Sequence, residues 1–168
     1  EIVLDRPHVR NALNVAMRDE LYDALTLAAA DPVVDVHLRG EGVSFCAGGD
    51  LDEFGTFPDP ATAHVVRLAR SIGRLMASIA DRVTTHVHGA CMGSGIELPA
   101  FGSRVIARSD ATFGLPEVRF GLVPGAGGTV SISRRIGRHR TARLALTAQP
   151  IDTTTAYDWG LIDEIIQE

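Results

Sequence analysis

Residues 88–98 read His-Gly-Ala-Cys-Met-Gly-Ser-Gly-Ile-Glu-Leu, and they follow a strand-like run that begins at Val83. This order predicts a strand, Val83–His88, that enters a glycine-rich turn, Gly89–Gly95, and then a short helix. A helix that begins at such a turn presents unpaired N–H groups, which favour an oxygen atom carrying negative charge. The stretch has neither the Lys-Ser/Thr pair of a P-loop nor the GxGxxG spacing of a dinucleotide site. It therefore predicts an oxyanion-binding turn, in which Glu97 is either a functional acid or only a partner of the helix dipole.

A second glycine-rich region carries another glutamate. It reads FGLPE over Phe113–Glu117 and continues as GLVPGAGGT over Gly121–Thr129. Pro116 restricts the backbone before Glu117, and a carboxyl group held beside an apolar turn is expected to have a raised pKa. Such a group can carry a proton near neutral pH. Alternatively, Glu117 is a surface acid without a chemical role.

A third turn, FCAGGDL over Phe45–Leu51, is also rich in small residues. Small residues allow backbone N–H groups to approach a ligand closely. On its own, a Gly-Gly-Asp sequence is more typical of an ordinary tight turn.

The composition indicates one globular domain. The chain has 168 residues, 45% of them hydrophobic, and no apolar run approaches the roughly 20 residues that cross a bilayer. It starts within a strand-like run and shows no leader peptide, and we interpret it as an excised or incomplete chain. The two cysteines, Cys46 and Cys91, indicate buried, reduced thiols and hence a cytoplasmic protein.

The charge pattern argues against nucleic acid as a partner. The net charge is −5, and all 16 basic residues are arginine, which suggests a bacterial source of high GC content. The late basic cluster is interpreted as a solvated helix face with subunit contacts; its members are Arg134, Arg135, Arg138, His139, Arg140 and Arg143.

Strand-like and helix-like patterns alternate along the chain, as is typical of an α/β fold. The other predicted strands are Ile2–Leu4, Val33–Leu38, Val105–Ala107, Ala111–Gly114 and the extended run Leu161–Ile166. The predicted helices begin at about Asn14, cover Ala61–Ala80, start at Gly125–Gly128, and cover Thr141–Leu146 and Thr153–Asp158, with Gly160 as a C-cap. Phe54–Pro60 is predicted to be a mobile connection.

The order of these motifs resembles that of the enoyl-CoA hydratase/isomerase (crotonase) family over nearly the whole chain. The resemblance rests on RNAL at Arg10–Leu13, the three turns described above, GLVPGAGGT, and the late Ala156-x-x-x-Gly160-Leu-Ile-Asp element. It implies a superhelix of ββα repeats, assembled as trimers or dimers of trimers. Residues 1–168 would form the catalytic core, without the C-terminal trimerisation helices of the family.

The resemblance also implies an acyl-CoA thioester substrate, with CoA as part of the substrate and no separate cofactor or metal. By motif position, the N–H groups of Gly49 and Ser94 would form the oxyanion hole, and Glu97 and Glu117 would be catalytic. Glu97 would be the base that orients water, and Glu117 the proton donor to Cα. The remaining implied substrate-binding residues are Arg10, Ala12, Ala47, Asp50, Leu51, Gly93 and Pro116.

The sequence departs from the family pattern at several positions. Ser94 stands where glycine is common, so its side chain is expected to narrow the pocket or add a contact. His88 stands where asparagine is common, and it is expected to form a buried, hydrogen-bonded pair with His86. Residues 50–53 (DLDE) are acidic where relatives carry a base, and these carboxylates would repel the CoA phosphates. The positive charge would then come from Arg10, a further C-terminal region or a neighbouring subunit, or the thioester would have another carrier.

Two glutamates favour a 2-enoyl-CoA hydratase, because addition of water needs both a base and a proton donor. The alternatives within the family are isomerisation, decarboxylation and thioester hydrolysis. A non-catalytic scaffold would be expected to have lost Glu97 or Glu117.

Overall fold

The strands of the chain are divided between two sheets. The computed structural model describes residues 1–56 and 59–167. The strands are β1 (Ile2–Leu4), β2 (Val36–Gly40), β3 (Val83–Val87), β4 (Ala90–Met92), β5 (Arg104–Arg108), β6 (Thr112–Gly114), β7 (Ile151–Asp152) and β8 (Glu164–Ile166). The helices are α1 (Val15–Ala30), α2 (Pro60–Ala69), α3 (Ile72–Ser78), α4 (Ser94–Glu97), α5 (Gly128–Thr147) and α6 (Thr153–Trp159).

The first sheet has five parallel strands in the order β1-β2-β3-β5-β8, and the second has the order β4-β6-β7. In the second sheet, β4 and β6 are parallel, and the bridges Cys46–Cys91 and Leu13–Gly49 extend the same row towards the N-terminus. Each repeat, such as β3-β4-α4 or β5-β6-α5, therefore gives one strand to each sheet. This arrangement confirms the predicted α/β superhelix of ββα repeats.

The hydrophobic core lies between the sheets and the helices. Along β3, Val83, Thr85 and Val87 are buried, whereas the alternate residues are partly exposed, as the two-residue period of a strand requires. Helix α1 buries Met17, Leu21 and Leu25, and the Asn14 side chain accepts a hydrogen bond from the Met17 N–H at its N-terminus. Both cysteines are buried and free, as predicted.

The predicted helix Ala61–Ala80 is wrong, because the chain forms two helices that break at Arg70-Ser71. The helical period of apolar residues continues across the break, so the sequence pattern gave no sign of it. The Ser71 side chain accepts a hydrogen bond from the Arg74 N–H and so starts α3. Arg70 lies over the Tyr22 ring and pairs with Asp19, which ties the break to α1. Residues 57 and 58 of the predicted mobile connection lie outside the described residues.

Other boundaries also differ from the prediction. A turn at Asp31–Val34 delays β2, because the Arg82 guanidinium binds the carbonyl oxygens of Asp31 and Val34. The turn Gly89–Gly95 contains the unpredicted strand β4, and the extended run after Leu161 narrows to β8. The two helices expected after Gly125 are both present: they are the two halves of α5, which is interrupted by the non-helical backbone of Gly137 (φ 78°, ψ 159°).

The predicted histidine pair is also wrong. His86 Nε2 lies 3.2 Å from Nδ1 of His37 on the neighbouring strand, and the two rings stack. His88 Nε2 instead lies 2.9 Å from the Gly42 carbonyl oxygen. The rings of His86 and His88 are both partly exposed, so neither histidine is buried as predicted.

The late arginine cluster is only partly a solvated face. Arg135 is partly buried and donates hydrogen bonds to the carbonyl oxygens of Ala100 and Gly102. Arg140 and Arg143 both pack over the Trp159 ring. These contacts join α5 to its neighbours.

Asn11 is fully buried and organises the loop before α1. Its amide nitrogen donates hydrogen bonds to three carbonyl oxygens, and its side-chain oxygen accepts one from the Arg6 N–H; the three acceptors belong to Glu41, Ser44 and Phe45. Its φ of 54° is left-handed, a conformation that asparagine tolerates better than most residues. Asn11 thus fixes the loop that later supports the candidate site.

We expect Asn11→Ala to lower the free energy of unfolding by about 3 kcal/mol, because it leaves buried carbonyl groups without donors. Urea denaturation measures this change. Arg10→Ala is the matched control, since Arg10 has the same φ but an exposed side chain. Equal losses for the two variants would contradict a role for the Asn11 side chain.

Candidate active site

Three loops meet at one edge of the second sheet. Gly48-Gly49 follows the bridge at Cys46, Gly93-Ser94 follows β4, and Leu115–Glu117 follows β6. These three segments are parallel neighbours, so their carboxyl ends lie on the same side, where α/β sheets commonly bind ligands. The fold thereby collects residues that are 68 positions apart, from Gly49 to Glu117.

The loop at Gly49 is held from both sides. The Leu13 N–H donates to the Gly48 carbonyl oxygen at 2.8 Å, and the Asp50 N–H donates to the Leu13 carbonyl oxygen at 3.2 Å. Within the described part of the chain, the N–H of Gly49 makes no hydrogen bond. This donor is therefore available to a bound group, as the sequence prediction requires.

The loop at Ser94 packs directly against the first one. The Met92 N–H donates to the Cys46 carbonyl oxygen at 3.0 Å, and a Cβ added to Gly93 would lie 3.9 Å from the Cα of Gly48. The Ser94 N–H starts α4 and also has no acceptor among residues 1–56 and 59–167. Two neighbouring loops thus each present a free backbone donor.

The Ser94 side chain adds a contact in the core, which is one of the two effects expected of it. Its hydroxyl group is buried and lies beside the Cys46 thiol. The pKa of Cys46 is raised to about 11, chiefly by burial, while the Gly48 backbone and the Ser94 hydroxyl lower it. The substitution of serine for glycine is therefore accommodated in the core.

Glu97 is almost completely buried, with 1% of its surface exposed. Its Oε2 accepts hydrogen bonds from the N–H groups of Ala126 (2.9 Å) and Gly128 (2.7 Å), at the start of α5. Glu97 is therefore a partner of a helix dipole, but the helix is α5 and not its own. The pKa of Glu97 is raised to about 7: burial is the largest cause, the nearby Glu117 also raises it, and the two backbone donors lower it.

Glu117 lies beside Glu97 at the start of a 3₁₀ helix, Glu117–Phe120. It is half-buried, and burial raises its pKa, as the sequence predicted. Its Oε2 is buried without a hydrogen-bond partner among the described residues, and its Oε1 lies 2.5 Å from where a Cβ on Gly93 would be. The two carboxyl groups interact directly, because a hydrogen bond between the side chains raises the pKa of Glu97 and lowers that of Glu117.

The acidic stretch after Gly49 is less repulsive than its sequence suggests. Asp50 pairs with Arg6 at 2.9 Å, which lowers the pKa of Asp50. Both carboxylate oxygens of Glu53 lie 2.9 Å from the Val15 N–H and so cap α1. Only Asp52 of the three carboxylates is exposed and without a basic partner in the described residues. Arg6 therefore neutralises one of the three carboxylates, and repulsion of the CoA phosphates by Asp52 and Glu53 stays a prediction.

The other predicted substrate-binding residues surround the same loops. The Ala47 N–H donates to the Arg10 carbonyl oxygen, and Arg6 donates to the Ala12 carbonyl oxygen. The Arg10 side chain and Leu51 are exposed, and Pro116 leads into Glu117. Sequence reasoning missed Arg6, Ala126 and Gly128, of which two act through backbone N–H groups that residue identity does not reveal. The described residues contain no cluster of three or more potential metal-ligating side chains.

The comparisons with known proteins identify the family of the chain. The model of the enoyl-CoA hydratase/isomerase family matches residues 1–168. The chain belongs to this family. A 2,3-dehydroadipyl-CoA hydratase of Escherichia coli K12 is 34% identical over 98% of the chain, and a crotonyl-CoA hydratase of Syntrophomonas wolfei is 33% identical over 99%. The chain spans 64% and 65% of the lengths of these two relatives.

A solved structure of this family has the same fold. The enoyl-CoA hydratase of Thermoplasma volcanium superposes with a TM-score of 0.89 at 34% identity, over 98% of this chain and 66% of that one. No helix within the described residues is long and apolar enough to span a membrane.

The raised pKa of Glu97 predicts a specific dependence of stability on pH. The pKa in the folded protein, about 7, lies above the ordinary value of 4.5, so ionisation of this buried group opposes folding. The stability that protonated Glu97 gives to the folded protein is complete below pH 4.5 and is lost as the pH rises through 7. At about 1.4 kcal/mol per pKa unit, we expect wild type to lose about 3 kcal/mol relative to Glu97→Gln between pH 4 and 8.

Urea denaturation of both proteins across this pH range tests the expectation. Glutamine keeps an oxygen acceptor for the Ala126 and Gly128 N–H groups, so the comparison isolates the charge. If the free energies of unfolding of the two proteins changed with pH in parallel, the pKa of Glu97 would not be raised by folding, and the prediction would be wrong.

Proposed function

We propose that the protein is an enoyl-CoA hydratase, which adds water across the 2,3 double bond of a 2-enoyl-CoA thioester. The observation that carries the proposal is the pair of neighbouring carboxyl groups, Glu97 and Glu117, which both have raised pKa values and lie beside two free backbone donors. The hydratase names of the two relatives support this reaction.

The thioester carbonyl oxygen would lie between the N–H groups of Gly49 and Ser94. Charge accumulates on this oxygen as water adds, and the loss of one such donor typically costs about 3–4 kcal/mol of transition-state stabilisation. The hydrogen bonds that hold Gly48 and Asp50 keep the Gly49 donor in place before the substrate arrives.

The two glutamates would then divide the proton transfers. Glu97, whose carboxylate form the Ala126 and Gly128 N–H groups favour, takes a proton from water while the water oxygen bonds to Cβ. The π electrons move into the thioester and form an enolate oxygen. Glu117 gives its proton to Cα as the enolate collapses, and the proton on Glu97 returns to Glu117 through the shared site. The enzyme thus ends in its starting state.

The nearest alternative is enoyl-CoA isomerisation, which needs a proton moved between two carbons and no added water. One glutamate suffices for that reaction, so the second, Glu117, with its partner-free Oε2, favours hydration. Decarboxylation and thioester hydrolysis would use the same oxyanion donors. A scaffold without activity would not require two neighbouring carboxyl groups with raised pKa values.

The test is hydration of crotonyl-CoA by the purified protein, followed as loss of enoyl-thioester absorbance. A parallel assay with a 3-enoyl-CoA, in which that absorbance would appear, detects isomerisation. A carrier-protein thioester tests the identity of the carrier. The hydratase proposal fails if no 2-enoyl thioester of any length is hydrated.

We also propose that the protein assembles as a homotrimer or a dimer of trimers, as the family resemblance implies. Analytical ultracentrifugation measures the mass of the particle. A monomer at micromolar concentration would contradict the proposal.

A further inference from the structure

Two aromatic rings bridge the two sides of the candidate site. The ring of Phe54 lies against Gly49, where an added Cβ would be 3.2 Å from Cε1 of the ring. Phe54 meets Phe120 edge to face, with ring centroids 6.3 Å apart and an interplanar angle of 79°. Phe120 is the last residue of the 3₁₀ helix that begins with Glu117. The pair therefore connects the oxyanion loop to the segment that carries the second glutamate.

Both rings are nevertheless substantially exposed. Phe54 is 41% exposed and Phe120 is 49% exposed, although aromatic side chains are usually well buried. The same two segments also expose Leu51 and Leu122. Contiguous exposed apolar side chains beside a site commonly mark a surface that binds a ligand or a partner.

The geometry of the reaction indicates what would contact these rings. The substrate carbonyl would lie at Gly49 and Ser94, and Cα and Cβ would lie at Glu97 and Glu117. With the proposed function, the acyl chain beyond Cβ would continue past Glu117, towards the 3₁₀ helix that ends at Phe120. Since Phe54 contacts Phe120 and lies against Gly49, the two rings lie across the space between the oxyanion loop and this helix.

We infer that the Phe54–Phe120 pair is the wall that limits the length of the acyl chain, so that the protein prefers short-chain thioesters. The inference rests on the proposed function, because it assigns the substrate class of that same site. The rings act by occupying the space that additional methylene groups would need. An apolar pocket typically discriminates one methylene group by roughly 10- to 200-fold, so one ring is large enough to set the preference.

The experiment measures kcat/KM for 2-enoyl-CoA thioesters of four to sixteen carbons in wild type, Phe54→Ala and Phe120→Ala. We expect wild type to prefer four to six carbons. Each variant should raise the ratio of twelve-carbon to four-carbon kcat/KM by about 10-fold or more. Phe120→Leu, which keeps an apolar but smaller side chain, should give an intermediate ratio. Tyr157→Ala is the matched control, because Tyr157 is an equally exposed aromatic residue on α6.

Calorimetric binding of saturated acyl-CoAs of the same lengths separates this inference from the proposed function. Suppose that no thioester is hydrated, but that wild type binds short chains best and the alanine variants bind long chains. The chain-length inference is then supported, and the hydratase proposal fails. Wild type that prefers long chains, or alanine variants with the wild-type length profile in both assays, would overturn the inference. Circular dichroism of each variant verifies that the fold is retained.

Discussion

Glu117→Gln is expected to lower kcat for crotonyl-CoA hydration by roughly 10³- to 10⁴-fold, since positioned acid–base catalysis contributes rate factors of this order. Glutamine has nearly the same shape but carries no proton that it can give to Cα. The buried Oε2 of Glu117 has no hydrogen-bond partner in the described part of the chain, so the change breaks no protein contact at that atom. Glu97→Gln should give a comparable loss, because an amide cannot accept the proton of water.

Steady-state kinetics and acyl-CoA affinity should both be measured for these variants. The affinity should change little, because the Gly49 and Ser94 donors belong to the backbone. The double variant should be about as slow as the slower single variant, as expected for residues that act as a unit. Asp158→Asn, at an exposed position on α6, is the control for removal of a carboxylate. A Glu117→Gln protein with more than a tenth of wild-type kcat would remove Glu117 from the mechanism.

Gly128→Ala should lower kcat by about 10²-fold or more, although it changes no side chain with acid–base chemistry. A Cβ at this position would lie 2.6 Å from Cγ and 3.0 Å from Oε2 of Glu97, distances that force the glutamate to move. Gly128 is in the first turn of α5, where alanine is well tolerated, so the effect should be steric. A displacement of about 1 Å in a catalytic group can cost this much.

Thr129→Ala, at the next and exposed position, is the control for the Gly128 variant. We expect it to retain wild-type kcat. Glu97→Gln combined with Gly128→Ala should be little slower than Glu97→Gln alone, because the carboxylate that alanine displaces has already been removed. A folded Gly128→Ala protein with unchanged kcat would show that Glu97 tolerates displacement.

Sequence patterns predicted those parts of the fold that depend on local preferences. The cap of α1 at Asn14 and the left-handed C-cap at Gly160 follow from residue type and position. The break at Arg70-Ser71 escaped prediction, since the apolar period runs through it and the Arg70 contacts that fix it come from α1. Strand β4 escaped because three residues in a glycine-rich turn carry no strand signal of their own and depend on pairing with β6.

The candidate site was predictable to a similar extent. A raised pKa for Glu117 followed from its Gly/Pro surroundings. The contact between Glu97 and the start of α5 could not be inferred, because it joins Glu97 to backbone groups about thirty residues later. The neutralisation of Asp50 by Arg6 was missed for the same reason: the pair is 44 residues apart and is set by the fold.

The parallel pairing of the segments before the site loops has a consequence for how the protein would lose activity. Gly49, Ser94 and Glu117 follow three neighbouring parallel segments, so their spacing is set by the pitch of the superhelix. A substitution far from the site that changed the spacing of one strand would shift all of these groups together. On heating, activity would then be lost as the superhelix begins to unfold, before any single loop unfolds on its own.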